Sequence, residues 1–140
     1  MKNLKLIFDV ESLSYNPKNK HFYGDICFDL DGIYYPDKNW NDYILTVLLS
    51  WTYNIANQKE GTLYFFDGPY EISFKKREDI LCLFIESLGE YHCEIKYLLQ
   101  MIRDDLMKIY NMEKYSQVLD KKKIMLGMKT IDNYFMRASK

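Results

Sequence analysis

The chain has 140 residues, of which 48% are hydrophobic and 28% charged, and its formal net charge is −1. This length suits one domain with a single core, and the near-neutral charge, with acids in excess over the first half, argues against a nucleic-acid partner. The apolar run near the amino terminus is too short for a signal peptide, and no segment reaches the roughly 20 apolar residues of a membrane span, so we expect a cytoplasmic protein without a membrane partner.

The first predicted elements are strands. An apolar run over 4–10 predicts one strand, and a second follows in which three apolar residues share a face: Ile26, Phe28 and Leu30. The opposite face of that strand carries four smaller residues: Asp25, Cys27, Asp29 and Asp31. Asp31-Gly32 is a strong hairpin dipeptide, which predicts a return strand over 33–35 that ends before Pro36.

The hydrophobic period then changes to that of a helix over 41–58, for which Asn41 or Asp42 would provide the cap. A hairpin follows, because residues 62–66 and 70–74 each alternate in polarity. Between them the sequence Phe66-Asp67-Gly68-Pro69-Tyr70 predicts a tight turn, since Asp-Gly tolerates positive φ and proline fixes φ near −65°. An apolar run over 78–88 predicts one more strand.

A second helix is predicted over 90–110 from a continuous apolar stripe: Ile95, Leu98, Leu99, Ile102, Leu106 and Ile109. Beyond residue 110 the pattern weakens. A basic run over 121–123 precedes further apolar residues and a short helical pattern, so we expect the basic segment 121–140 to dock on the domain with its lysines solvated.

These elements predict one α+β domain over residues 1–140. Its strands would form an antiparallel sheet of about five or six strands. The helix over 41–58 would cross between strands, and the long helix over 90–110 would pack on one face of the sheet.

The sequence carries no recognisable catalytic or cofactor motif. Cys27, Cys82 and Cys93 lie far apart, without the CxxC spacing of zinc sites, so we expect three free core thiols and no bound metal. Of the two histidines, His21 lies in a polar loop, and a helix over 90–110 would turn His92 away from Cys93. The glycines form no phosphate-binding loop, and no cofactor is expected.

The acidic strand face permits three interpretations. Asp25 and Asp29 would lie about 13 Å apart, too far to share an ion, whereas Asp29 and Asp31, about 7 Å apart, could bind Mg²⁺ or Ca²⁺ with help from other strands. The face could instead be solvated without a function, or it could contact a basic protein. The lysines at 121–123 are an internal alternative partner for these acids.

Nine residues within about 23–88 resemble a known family in their order and spacing: Asp31, Gly32, Pro36, Trp40, Asp42, Trp51, Asp67, Gly68 and Tyr70. A strand ending in Asp-Gly leads to a proline, a Trp-x-Asp helix start, a later tryptophan on that helix, and a hairpin with an acid, a glycine and an aromatic residue. In this pattern the chain is similar to the small cytoplasmic immunity proteins of bacterial polymorphic toxin and contact-dependent inhibition systems.

The resemblance implies a protein that is not an enzyme and that neutralises a cognate toxin, the C-terminal domain of a larger secreted protein, by tight binding. Aromatic anchors and negative charge suit a basic toxin surface. The expected partner-binding residues are Asp25, Asp29, Asp31, Asp67, Tyr70 and Glu71. Two alternatives stay open: a small enzyme that uses Asp29, Asp67 or His92 at the sheet edge, and an adaptor or secretion chaperone. Exposed tyrosines could equally make a homodimer.

Overall fold

The structure is a computed structural model that describes residues 4–138. Its first half contains β1 (Lys5–Asn16), β2 (His21–Leu30), β3 (Ile33–Tyr35), β4 (Asn41–Tyr43) and α1 (Ile44–Asn57). Its second half contains β5 (Glu60–Tyr64), β6 (Glu71–Arg77), β7 (Ile80–Ile85), β8 (Gly89–Glu94), α2 (Ile95–Tyr110) and α3 (Lys121–Ala138), with a 3-10 turn at Glu113–Tyr115.

The eight strands form two antiparallel sheets of four strands each. In the first sheet β2 pairs with β1 on one side, while β3 and β4 share its other side at opposite ends. The second sheet is a simple meander in the order β5-β6-β7-β8. The predicted α+β class with antiparallel pairing is therefore confirmed. The described residues form eight strands in two sheets rather than five or six in one, because β4 and β8 arise from segments that the sequence assigned to the two helices and β5–β8 pair with one another.

Helix α1 connects the two sheets through Trp51, which is fully buried. The indole stacks on Phe28 of the first sheet, with ring centroids 5.3 Å apart, and meets the edge of Phe65 at 5.1 Å. Its Nε1 donates a hydrogen bond to the carbonyl of Tyr64, at the end of β5, over 2.9 Å. One tryptophan thus fixes both sheets against α1, and the core is continuous across them.

Helix α2 buries the whole predicted stripe, whose six side chains are at most 1% exposed. The helix begins at Ile95, however, and the expectation of a helix from residue 90 is wrong. Residues 89–94 form β8, because their alternation directs Tyr91 and Cys93 inward and lets this segment pair with β7.

Helix α3 packs against α1 and α2, burying Ile124, Gly127, Met128 and Ile131. Arg103 of α2 donates two hydrogen bonds to the Asp132 carboxylate of α3, at 2.7 and 3.0 Å. Between residues 4 and 138, no helix combines the length and the apolar character needed to cross a membrane.

Candidate functional site

The candidate site is built on residues 65–70, hereafter the 65–70 loop, which connects β5 to β6. Phe65 at its start is buried, and its N–H donates to the Tyr70 carbonyl over 3.0 Å, which closes the loop. Phe66 and Tyr70 point outward and are 42% and 37% exposed, beside Tyr64 at 46%. The loop therefore presents three large aromatic side chains to solvent within a short stretch of chain.

A buried carboxylate holds the loop in place. Asp42 is 0% exposed and accepts hydrogen bonds from the Phe66 N–H at 3.0 and 3.2 Å, from Trp40 Nε1 at 2.9 Å and from the Tyr43 N–H at 2.7 Å. Burying a carboxylate without such donors would be strongly unfavourable, so this network ties the loop to β4. The prediction that Asn41 or Asp42 caps α1 is wrong, because the helix begins after Tyr43 and has no side-chain cap.

Aromatic rings surround Tyr70. Its ring meets the edge of Trp40 at 5.1 Å and that of Tyr35 at 5.8 Å. The Tyr35 hydroxyl donates to the Glu71 carbonyl over 3.2 Å, and burial raises the pKa of this hydroxyl, which favours its protonated, donating form. Tyr70 is thus a half-exposed ring whose position is set by its neighbours.

Gly68 fits this site for a reason that differs from the predicted one. The predicted turn between two strands is confirmed by the pairing of β5 with β6, but the φ of Gly68 does not lie in the left-handed region, so the expected positive φ is wrong. A Cβ at this position would lie 3.0 Å from Cη2 of Trp40 and 3.1 Å from Cζ2. The loop backbone therefore favours glycine here, because a larger residue would require the Trp40 indole to shift by a few tenths of an ångström.

The predicted acids fall into two groups. Asp67 lies in the loop, Glu71 follows it at the start of β6, and Asp25 is linked to the loop through β4, where its Oδ1 accepts from Asn41 Nδ2 over 2.9 Å. The pKa of Tyr43, on the same strand, is raised by its hydrogen bond with Tyr23 and, to a smaller extent, by the charges of Asp67 and Asp42. The charges of Asp67 and Asp42 thus reach a tyrosine on the strand that borders the loop.

Asp29 and Asp31 lie at the other end of β2. The Asp29 Oδ1 accepts from the Gly32 N–H over 2.8 Å, and Asp31 and Gly32 have φ of 58° and 98°, as a two-residue hairpin turn requires. These two acids build the β2–β3 turn, about 13 Å along the strand from Asp25.

The proposed internal lysine partners do not reach these acids. In the part of the chain that the structure describes, no ion pair joins residues 121–123 to Asp25, Asp29 or Asp31. The Lys121 ammonium lies instead 5.2 Å from the centre of the Tyr110 ring. Asp25 and Asp29 are paired instead with Asn41 and with the Gly32 N–H, close to them in the first sheet.

The residues of the enzyme alternative are not brought together. Asp29 lies in the first sheet, Asp67 in the 65–70 loop and His92 on β8, two strands from β6 and several residues from the loop end of the second sheet. Strand spacing alone places Asp67 and His92 more than about 15 Å apart.

The support that Tyr35, Trp40 and the buried Asp42 give to the 65–70 loop was not evident in the sequence, since it depends on contacts between the two sheets.

The candidate site is thus an aromatic and acidic surface with a fixed backbone and no assembled group of catalytic side chains among its residues. Exposed rings of this kind can bury apolar area against another molecule, and the neighbouring acids would favour one that carries positive charge. Comparison of the chain with protein-family models, with curated proteins and with solved structures gave no match.

Proposed function

We propose that this protein is a toxin-neutralising immunity protein, which binds the C-terminal toxin domain of a larger secreted bacterial protein and blocks it by stoichiometric binding. The observation that carries this proposal is the 65–70 loop, whose exposed aromatic residues are fixed by the buried Asp42 carboxylate. The order and spacing of the residues that resemble immunity proteins support the same function.

The fixed loop favours tight binding. Association costs free energy when side chains and loops must become ordered, and a loop already held by hydrogen bonds avoids much of that cost. Phe66, Tyr64 and Tyr70 are large, have few rotatable bonds and are more than one-third exposed, which are the properties of interface anchors.

The charges of the site favour a basic partner. Asp67, Glu71 and Asp25 lie in or beside the loop, and Asp29 and Asp31 add a second group of negative charges at the β2–β3 turn. A toxin that acts on nucleic acid carries a basic groove, and acidic complementarity would accelerate its encounter with this surface. The proposed partner acts in the cytoplasm of the producing cell, so the immunity protein would be cytoplasmic too.

The test is coexpression with the C-terminal domain encoded by the neighbouring toxin gene, scored by growth and by direct binding. Phe66→Ala should weaken binding by about tenfold or more, the typical effect of losing an aromatic anchor, and should reduce protection. Tyr97→Ala is a matched control, because Tyr97 is 44% exposed but lies on α2, which begins beside the β6–β7 turn at the end of the second sheet opposite to the 65–70 loop. Both variants should melt at nearly the wild-type temperature.

Charge gives a second, independent measurement. Asp67→Asn should slow association with the toxin at low salt, and the difference from wild type should shrink as salt rises because screening removes the same attraction.

Four results would contradict the proposal in different ways. Failure of the wild-type chain to bind or inhibit the toxin domain would refute the immunity function, and binding without inhibition would favour an adaptor or secretion chaperone. Protection that is lost in Tyr97→Ala but retained in Phe66→Ala would remove the 65–70 loop from the interface. A dimer of the isolated chain that Phe66→Ala dissociates would assign the loop to self-association.

A further inference from the structure

The outer face of the second sheet brings together three side chains of metal-binding type. Cys82 on β7 lies directly opposite His92 on β8, and Glu90 shares the face of His92 because side chains two residues apart on a strand point the same way. The ligand atoms of these three residues all lie within 4.8 Å of one another. The sequence did not indicate this cluster, because it predicted a helix over 90–110.

One atom of the cluster lacks a hydrogen-bond partner. The His92 Nε2 is buried, although 29% of the side chain is exposed, and it makes no hydrogen bond. Glu90 Oε1 lies 3.3 Å away, without the alignment that a hydrogen bond requires. Buried ring nitrogens are normally satisfied, so a lone pair at this position next to a thiol and a carboxylate is the arrangement that a cation would complete.

We propose that Cys82, Glu90 and His92 bind one Zn²⁺ ion, with a water molecule as the fourth ligand. Sulfur, imidazole nitrogen and carboxylate oxygen together match Zn²⁺, whereas Ca²⁺ and Mg²⁺ prefer oxygen ligands alone. Zinc–ligand bonds of roughly 2.0–2.3 Å place neighbouring ligand atoms about 3.5 Å apart in a tetrahedron. The present separations of at most 4.8 Å exceed that spacing by little more than about 1 Å, a difference that side-chain rotations of the partly exposed His92 and Glu90 would have to close.

The surroundings admit the ion. Cys82 is 2% exposed and forms the floor of the site, while the half-exposed His92 and Glu90 leave it open to solvent. The nearest cation across the sheet is Lys75 on β6, opposite Cys82. Its ammonium lies 3.8 Å from Glu60 on β5, on the side away from β8, so it does not occupy the position of the zinc ion.

Zinc binding exchanges a proton for a metal bond. The Cys82 sulfur forms a bond to zinc and its thiol proton passes to solvent, while His92 binds through an unprotonated nitrogen and Glu90 as a carboxylate. The apparent affinity should consequently rise with pH. Because Cys82 and His92 belong to different strands, the bound ion should also stabilise the pairing of β7 with β8.

The test is a titration of the reduced, metal-free full chain with Co²⁺ and then with Zn²⁺. We expect one ion per chain, a thiolate-to-cobalt charge-transfer absorption that Zn²⁺ displaces, and a higher melting temperature with Zn²⁺. His92→Gln and Glu90→Gln should each weaken zinc affinity by more than the roughly 10- to 100-fold that loss of an outer-shell partner causes. Cys82→Ser should abolish the charge-transfer band.

Two matched variants serve as controls. Cys27→Ala removes a buried thiol from the first sheet, and His21→Gln removes the other histidine, at the start of β2. Both should bind Co²⁺ and Zn²⁺ like wild type. His92→Gln and Glu90→Gln change partly exposed side chains, so they remain informative if Cys82→Ser fails to fold. Absence of binding by the folded wild-type chain would overturn the proposal, as would wild-type affinity in His92→Gln or loss of the band in Cys27→Ala.

Discussion

Asp105 lies in the middle of the buried face of α2, and its replacement by Asn should change how stability depends on pH. The side chain is 6% exposed, and its Oδ2 has no hydrogen-bond partner. Burial raises the pKa of this carboxyl to about 7, the nearby Lys108 ammonium lowers it only in part from 3.8 Å, and Asp104 raises it further.

The sign of the effect follows from the two pKa values. The folded-state pKa is above that of the unfolded chain, so the folded state holds a proton that the unfolded state has already released. The contribution to stability is complete at pH values below the unfolded pKa and is lost as the pH rises through about 7. The difference between 3.8 and about 7 corresponds to about 4 kcal/mol.

Asn has the shape of the protonated acid and cannot ionise. Asp105→Asn should therefore match wild type near pH 3, exceed it by about 2 kcal/mol at pH 5 and exceed it by about 4 kcal/mol at pH 8. Urea unfolding of both proteins at each pH measures this difference, with m-values expected to agree. Ile102→Val is the control, because Ile102 lies on the same buried face of α2 and carries no titratable group, so the difference of this variant from wild type should be the same at every pH. An Asp105→Asn advantage that is the same at pH 5 and pH 8 would refute the reasoning.

The remaining predictions concern packing. Gly68→Ala should destabilise the fold by about 1–3 kcal/mol because its Cβ would crowd the Trp40 indole. In a Trp40→Leu background the same substitution should cost much less, since the crowded ring is gone. If the free-energy changes of the two substitutions simply add, the crowding is excluded. Ile102→Ala should cost about 2–5 kcal/mol, since Ile102 is fully buried, whereas Arg103→Gln should cost under about 1 kcal/mol because its ion pair with Asp132 is half exposed. Similar losses for these two neighbours, measured by thermal unfolding, would contradict the orientation of α2.

The sequence by itself determined the regular elements with a long, uniform pattern. Five apolar residues recurring at helical spacing predicted α1, and all five are buried: Ile44, Val47, Leu48, Trp51 and Ile55. The Asp31-Gly32 dipeptide predicted the β2–β3 hairpin, because few residues adopt two consecutive positive φ angles. These features are set by interactions between residues close together in the chain, so the local sequence is sufficient to predict them.

Only the tertiary structure decided what depends on pairing between distant segments. The residue pattern over 90–94 is too short to distinguish a strand from the first turn of a helix. Pairing with β7 is what makes this segment the strand β8. Asp42 looked like a helix cap until Trp40 and the 65–70 loop supplied its donors. Cys82 and His92 became neighbours through the register of two strands. Burial and cross-strand contact are properties of the assembled sheets, and the local residue pattern does not encode which strand will lie alongside.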